Sequence, residues 1–114
     1  MSDARLPASV EATGIMRRVE AQGDFAIVLN KGDADRGALL LIISSRGRHV
    51  ACLERILSFD GDYLWRSVGP GESASPREVS EFLAKRQRVD PDSWLIDLDI
   101  ALPERFIAET TGEG

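Results

Sequence analysis

Cysteine and histidine are almost absent from this sequence: Cys52 and His49 are its single examples among 114 residues. One cysteine leaves no intramolecular disulfide to form and suits a reducing compartment. With one residue of each kind, a zinc centre of the usual Cys/His type is nearly excluded. Long apolar runs are missing too. The longest, Ala38 to Ile43, has six residues, against the ~20 that cross a bilayer. The opening MSDARLPASVEA has no basic segment followed by an apolar one. The expectation is therefore a cytoplasmic protein with no signal peptide and no membrane contact. Neither G-x-x-x-x-G-K-S/T nor G-x-G-x-x-G occurs, and GPGESAS (69–75) lacks the third glycine of a phosphate loop. Basic charge is scarce at one end: residues 90–114 hold one basic and seven acidic side chains, while residues 1–89 hold 13 and 12. The net charge of −5 thus belongs to the last segment. General affinity for nucleic acid is disfavoured, since phosphate binding needs a basic stripe.

What remains is an ordinary globular composition, 43% apolar and 29% charged, at a length that suits one domain over residues 1–114. Residues 1–7 and about 108–114 are expected to fray. Pro7-Ala8-Ser9 predicts a helix entry with Ser9 as N-cap, and Ala12, Ile15, Met16 and Val19 then share one face. Gly14 costs that helix about 1 kcal/mol relative to alanine, which a close approach to a sheet would explain. Phe25–Leu29, Ala38–Ile43, His49–Phe59 and Tyr63–Val68 predict four antiparallel strands in a meander, with Asp60-Gly61 the best hairpin turn. Imperfect alternation in the third suggests a bulge. Ser75-Pro76-Arg77-Glu78 is the most specific local signal, an N-cap, a first-turn proline and a capping-box glutamate together. Its helix would bury Val79, Phe82, Leu83 and the stem of Arg86. The last strand, Ser93 to Ile100, turns Trp94, Ile96, Leu98 and Ile100 to the core and Asp97 and Asp99 to solvent. Glu104–Gly114 reads as a tail with Phe106 and Ile107 tucked in. The fold expected is α+β, an antiparallel sheet of about five strands with two helices on one face, in the order α-β-β-β-β-α-β.

Candidate chemistry is thin. KGDADRG, residues 31–37, places Asp33 and Asp35 between two glycines, with Lys31 and Arg36 beside them. A calcium loop begun at Asp33 would need an oxygen ligand, glycine and glutamate where Gly37, Ala38 and Ser44 stand. The simpler reading is a charged hairpin loop, an Asx-turn at Asp33 with Gly32 and Gly37 supplying positive φ. Lys31, Asp33, Asp35 and Arg36 remain candidates for binding a ligand or partner. Ser73 and Ser75, at the start of the second helix, are candidates for holding an anion. Cys52 and His49 lie three apart in a strand, which sends them to opposite faces unless a bulge intervenes. Asp97 and Asp99 are expected opposite arginines such as Arg55 or Arg66. Trp65 and Trp94 read as core or interface anchors.

The Gly-Asp-x-Asp-x-Gly turn at Gly32–Gly37, taken with Asp-Pro-Asp-x-Trp at Asp90–Trp94, resembles a family of short alphaproteobacterial proteins, domain of unknown function 1491. The likeness spans nearly the whole chain and implies a bacterial protein with no assigned activity. The functional expectation is a small non-catalytic domain, without cofactor or metal, that binds a protein or small molecule, with a homodimer as one form of it. An alternative is a small enzyme or metal-dependent protein using Asp33 and Asp35. A second is RNA binding through Arg46, Arg48, Arg55 and Arg66.

Overall fold

A computed structural model describes residues 6–112; those parts of the expected frayed ends that fall on residues 1–5 and 113–114 lie outside it. The elements are α1 (Ala8–Ala21), β1 (Phe25–Asn30), β2 (Leu39–Ser45), β3 (Arg48–Leu57), β4 (Tyr63–Val68), α2 (Pro76–Val89), β5 (Trp94–Asp99) and α3 (Pro103–Thr111). The α+β class is as expected, but the sheet is mixed. Its order is β1-β5-β2-β3-β4. β5 enters between β1 and β2, antiparallel to the first and parallel to the second. The four-strand meander is therefore cut to three, and KGDADRG is a crossing loop over the start of β5 instead of a hairpin loop.

The helices do not share a face. Ala12, Ile15 and Val19 of α1 pack with Leu39, Leu41, Ile43, Ile96 and Leu98, and Phe106 and Ile107 of α3 join that cluster. The alternate residues Leu40, Ile42, Cys52 and Leu95 meet Phe82 and Leu83 of α2 on the other side. Both central strands are thus covered twice, which is why β2 reads as unbroken apolar sequence. The expected two helices on one face become α1 and α3 on one side and α2 on the other. α2 is the crossover that carries the chain back from edge strand β4 to the middle of the sheet.

Local chemistry sets most boundaries. Ser75 Oγ accepts from Glu78 N (3.1 Å) while Glu78 Oε1 accepts from Ser75 N (2.7 Å), so the capping box is complete. α1 starts two residues earlier than expected, with Pro7 as N-cap in place of Ser9 and no side-chain cap. Its first free amides are met by the crossing loop, Ala8 N donating to Asp35 O (3.1 Å) and Ser9 N to Ala34 O (2.8 Å). Beyond its own helix, no described atom lies within 4 Å of a Cβ built at Gly14, so no close approach to the sheet accounts for that glycine. α3 replaces most of the expected tail; it ends on Gly112 at φ 77°, a left-handed C-terminal stop.

Charge is paired across layers. Arg55, only 7% exposed, pairs with Glu11 of α1 and lies 4.1 Å from the Tyr63 ring centroid. Glu54, its neighbour on β3, faces α2 instead and pairs with Arg86, with Arg66 3.6 Å away.

Candidate functional site

The two ends of β5 hold the two candidate regions. At its start, the crossing loop is bound tightly to the strand entry. Asp33 N donates to Asp92 O (3.0 Å), Trp94 Nε1 to Asp33 O (2.8 Å) and Trp94 N to Ala38 O (2.7 Å). Asn30 Nδ2 donates to Ser93 O at 2.8 Å. A Cβ on Gly32 would sit 2.2 Å from Asp92 O, and one on Gly37 2.5 Å from the same atom. These glycines are present because another backbone passes where a side chain would be, and neither has the positive φ expected from sequence. Asp33 Oδ2 accepts from Arg36 N at 2.8 Å, closing the turn on itself.

The side chains of Lys31, Asp33, Asp35 and Arg36 are exposed on this loop. Asp33 and Asp35 are not gathered with Asp97 and Asp99, which stand three and five residues along β5 from Trp94, about 10 and 17 Å along the strand at ~3.3 Å per residue. Among the described residues no group of three or more His, Cys, Asp or Glu side chains is arranged to hold a metal ion. Ser75 is occupied by the capping box, and Ser73 lies exposed just before it. Arg55 and Arg66 point to opposite faces of the sheet, toward Glu11 and Glu54, so with Arg46 and Arg48 they form no common basic face.

At the far end of β5 the chain opens. A groove of about 660 Å³ runs between β1 and the first half of α2. Phe25 and Ile27 form one wall, at 69% and 60% exposure; Val79 and Leu83 of α2 form the other. Register places Phe25 beside Asp99 and Ile27 beside Asp97 on the same face. Glu20 and Asp24 add to the lining, so four carboxylates line the groove, together with His49 and, among the described residues, no lysine or arginine.

The two aspartates differ in what holds them. Asp99 accepts from Arg46 N (2.8 Å) and Gly47 N (3.1 Å), which fixes the β2–β3 turn. That turn needs the support, because Arg46 takes φ 54° and Gly47 φ 81°. Asp97 accepts, among the described residues, from Ser44 Oγ alone, at 3.3 Å. Burial pushes the Asp97 carboxyl above its usual range; the Ser44 hydrogen bond opposes this, nearby Asp99 adds to it, and His49 offsets part. Neither aspartate faces an arginine side chain as expected, because β5 is an inner strand on which Asp97 lies between Ile27 and Ile42 and Asp99 between Phe25 and Ser44. Nor do they point to open solvent: both are half-buried and share a groove with Val79 and Leu83 of α2.

His49 lies on this side because a register shift between Ile43 and Ser44 pairs Ser44 with His49 and Ile43 with Ala51. The extra residue places His49 and Cys52 on the same face, the case that simple alternation argues against. Burial, with Asp97 adding, pushes the Cys52 thiol up to about 11, with Arg86 opposing, so it stays protonated and unreactive near neutral pH. His49 Nε2 is 2.9 Å from Pro70 O. A second cavity, about 630 Å³ between α1 and α3, is floored by Ile15, Leu41 and Ile100 and rimmed by charges of both signs. Its floor is already buried, and its rim pair Arg105–Glu109 is satisfied at 3.1 Å.

Sequence reasoning missed the groove. Its parts come from six elements, and their one sequence signal, alternating carboxylates on β5, reads as an ordinary wet face.

A family model described as a protein of unknown function, DUF1491, matches residues 6–108. A crystal structure of a DUF1491 family protein from Caulobacter crescentus is similar at 24% identity and a TM-score of 0.76, covering 85% of this chain and 90% of that one. An NMR structure of a DUF1491 family protein from the same organism is 27% identical with a TM-score of 0.70, covering 83% and 86%. The solution structure of Atu0922 from A. tumefaciens is 23% identical, also with a TM-score of 0.70, covering 83% and 86%. No curated protein matches the chain.

Proposed function

Because the chain belongs to the DUF1491 family of proteins of unknown function, its role has to be argued from its own groove, and we propose that it acts by binding, at the β1–α2 groove, a ligand with an apolar body and a cationic group. One observation carries this reading: exposed Phe25 and Ile27 stand beside Asp97 and Asp99 in a groove lined by carboxylates and, among the described residues, by no lysine or arginine. Apolar walls with a few convergent polar groups are the usual make-up of a ligand site. A cation placed there would gain most at Asp97, whose charge is poorly supported by its own surroundings. Binding fits better than catalysis, because the thiol on this face holds its proton and Asp99 is committed to a turn.

Octylammonium and octanoate make a matched pair of probes. Octylammonium should shift the amide resonances of Ala26, Ile27, Val79 and Leu83 in a saturable way, and octanoate should not. Equal shifts by both, or shifts at the KGDADRG loop only, would refute the reading in favour of a merely greasy surface or of the exposed loop residues.

A further inference from the structure

The groove is bounded on one side by a strand that is itself incomplete. Among the described residues β1 has a strand partner, β5, on one side only, so alternate N–H and C=O groups along its outer edge have no strand there to bond. Edge strands are usually blunted by lysine, proline, an inward charge or a bulge. FAIVLN has none of the first three, its one irregularity lies past Val28, and Phe25, Ile27, Val28 and Leu29 are 38–69% exposed. The opposite edge, β4, does carry a charge, Arg66, which pairs with Glu54. A register shift between Val28 and Asn30 limits the regular edge to Phe25–Val28.

From this, and resting on the groove reading above, we propose that the ligand is an extended peptide segment of alternating apolar and basic residues, added to β1 as a sixth strand. Strand addition supplies bonds for the open backbone edge and places every second side chain over the groove. Strands lie about 4.8 Å apart, so the added strand would run about 9.5 Å from β5. A lysine or arginine spans that gap, laying its stem along Phe25 or Ile27 and its head at Asp99 or Asp97. Glu20 and Asp24 extend the same negative lining toward the start of β1. A second copy of β1 would satisfy the backbone edge but would bring no cation, because the strand is uncharged. The carboxylates therefore favour a basic segment from another protein.

The test uses the full chain and three capped octapeptides: alternating valine and lysine, alternating valine and glutamate, and the valine–lysine peptide N-methylated at alternate backbone nitrogens. Strand addition predicts that the first binds and slows hydrogen exchange of the outward amides of Phe25–Val28. The second and third should each bind at least tenfold more weakly. Ile27→Lys, at an exposed position that does not endanger folding, should abolish binding, and Asp97→Asn should weaken it severalfold. Equal affinity of the N-methylated peptide overturns strand addition. So does protection of β1 that rises with protein concentration and ignores peptide, which would mean self-pairing. If octylammonium binds the groove and no peptide does, strand addition fails and the groove reading stands. If neither binds, both fail.

Discussion

The two ends of β5 face opposite demands. At its start, two glycines, an indole and a set of backbone groups are locked together: Gly32 and Gly37 lie under Asp92, Trp94 Nε1 reaches Asp33, and the loop carbonyls cap α1. At its end, Asp97 has one hydrogen-bond partner among the described residues, and exposed apolar side chains stand beside it. The start carries the sequence signature, Gly-Asp-x-Asp-x-Gly with Asp-Pro-Asp-x-Trp, and it is nearly saturated with internal bonds. The end carries no motif and has room for a ligand. In this protein the most recognisable residues are explained by how the chain crosses itself.

That contrast can be broken by substitution. Gly32→Ala should cause the largest change, because its Cβ would meet a backbone carbonyl that cannot rotate away. A loss of at least about 3 kcal/mol is expected in chemical denaturation. The same change at Gly14, where nothing lies within 4 Å, should instead stabilise by about 0.5–1 kcal/mol. If the two substitutions act alike, close packing is not what the loop glycines serve. Trp94→Phe keeps most of the buried ring and removes the bond to Asp33 O; a loss of about 1–2 kcal/mol is expected. An unchanged midpoint would show that the loop is held by backbone bonds alone.

Asp97→Asn should have the smallest effect and the opposite sign. Burial raises the folded-state pKa of Asp97, while in the unfolded chain it titrates near its ordinary value, about 3.9. Between these two values the native state holds the proton more than the unfolded state does, so stability falls as pH rises through that window. The variant should therefore match the parent below the window, gain on it through the window, and stay slightly more stable at neutral pH. Melting temperatures measured across that range decide it. A variant less stable at neutral pH would mean that the charge is supported where the structure leaves it strained.

Legibility followed the range of the interactions. The capping box of α2, the Asp60-Gly61 hairpin and the bulge in β3 were readable because each is settled by residues a few positions apart. α3 was not, since its N-cap position is Leu102, with no side-chain cap, and Pro103 served equally well as a strand stop. β1 and β2 are both apolar, and nothing local says that one is an edge and the other central; β5, far along the chain, decides it. The groove was hidden for the same reason. Asp97 and Asp99 alternate as on any half-exposed strand, and only the overhang of α2 and the wall from β1 make their setting unusual.

The position of β5 also governs the order in which the protein can be assembled. As the chain is made, β2, β3 and β4 can pair as neighbours, while β1 must wait for a strand near the other end; Phe25 has to find Asp99. Until then β1 and the open side of β2 are both apolar and unpaired, the state in which strands find wrong partners. Closing so long a loop late is the slow kind of step. A chain interrupted before Trp94 would have two apolar strands exposed and no strand to fill the gap between them, so the last quarter of the sequence completes the centre of the sheet.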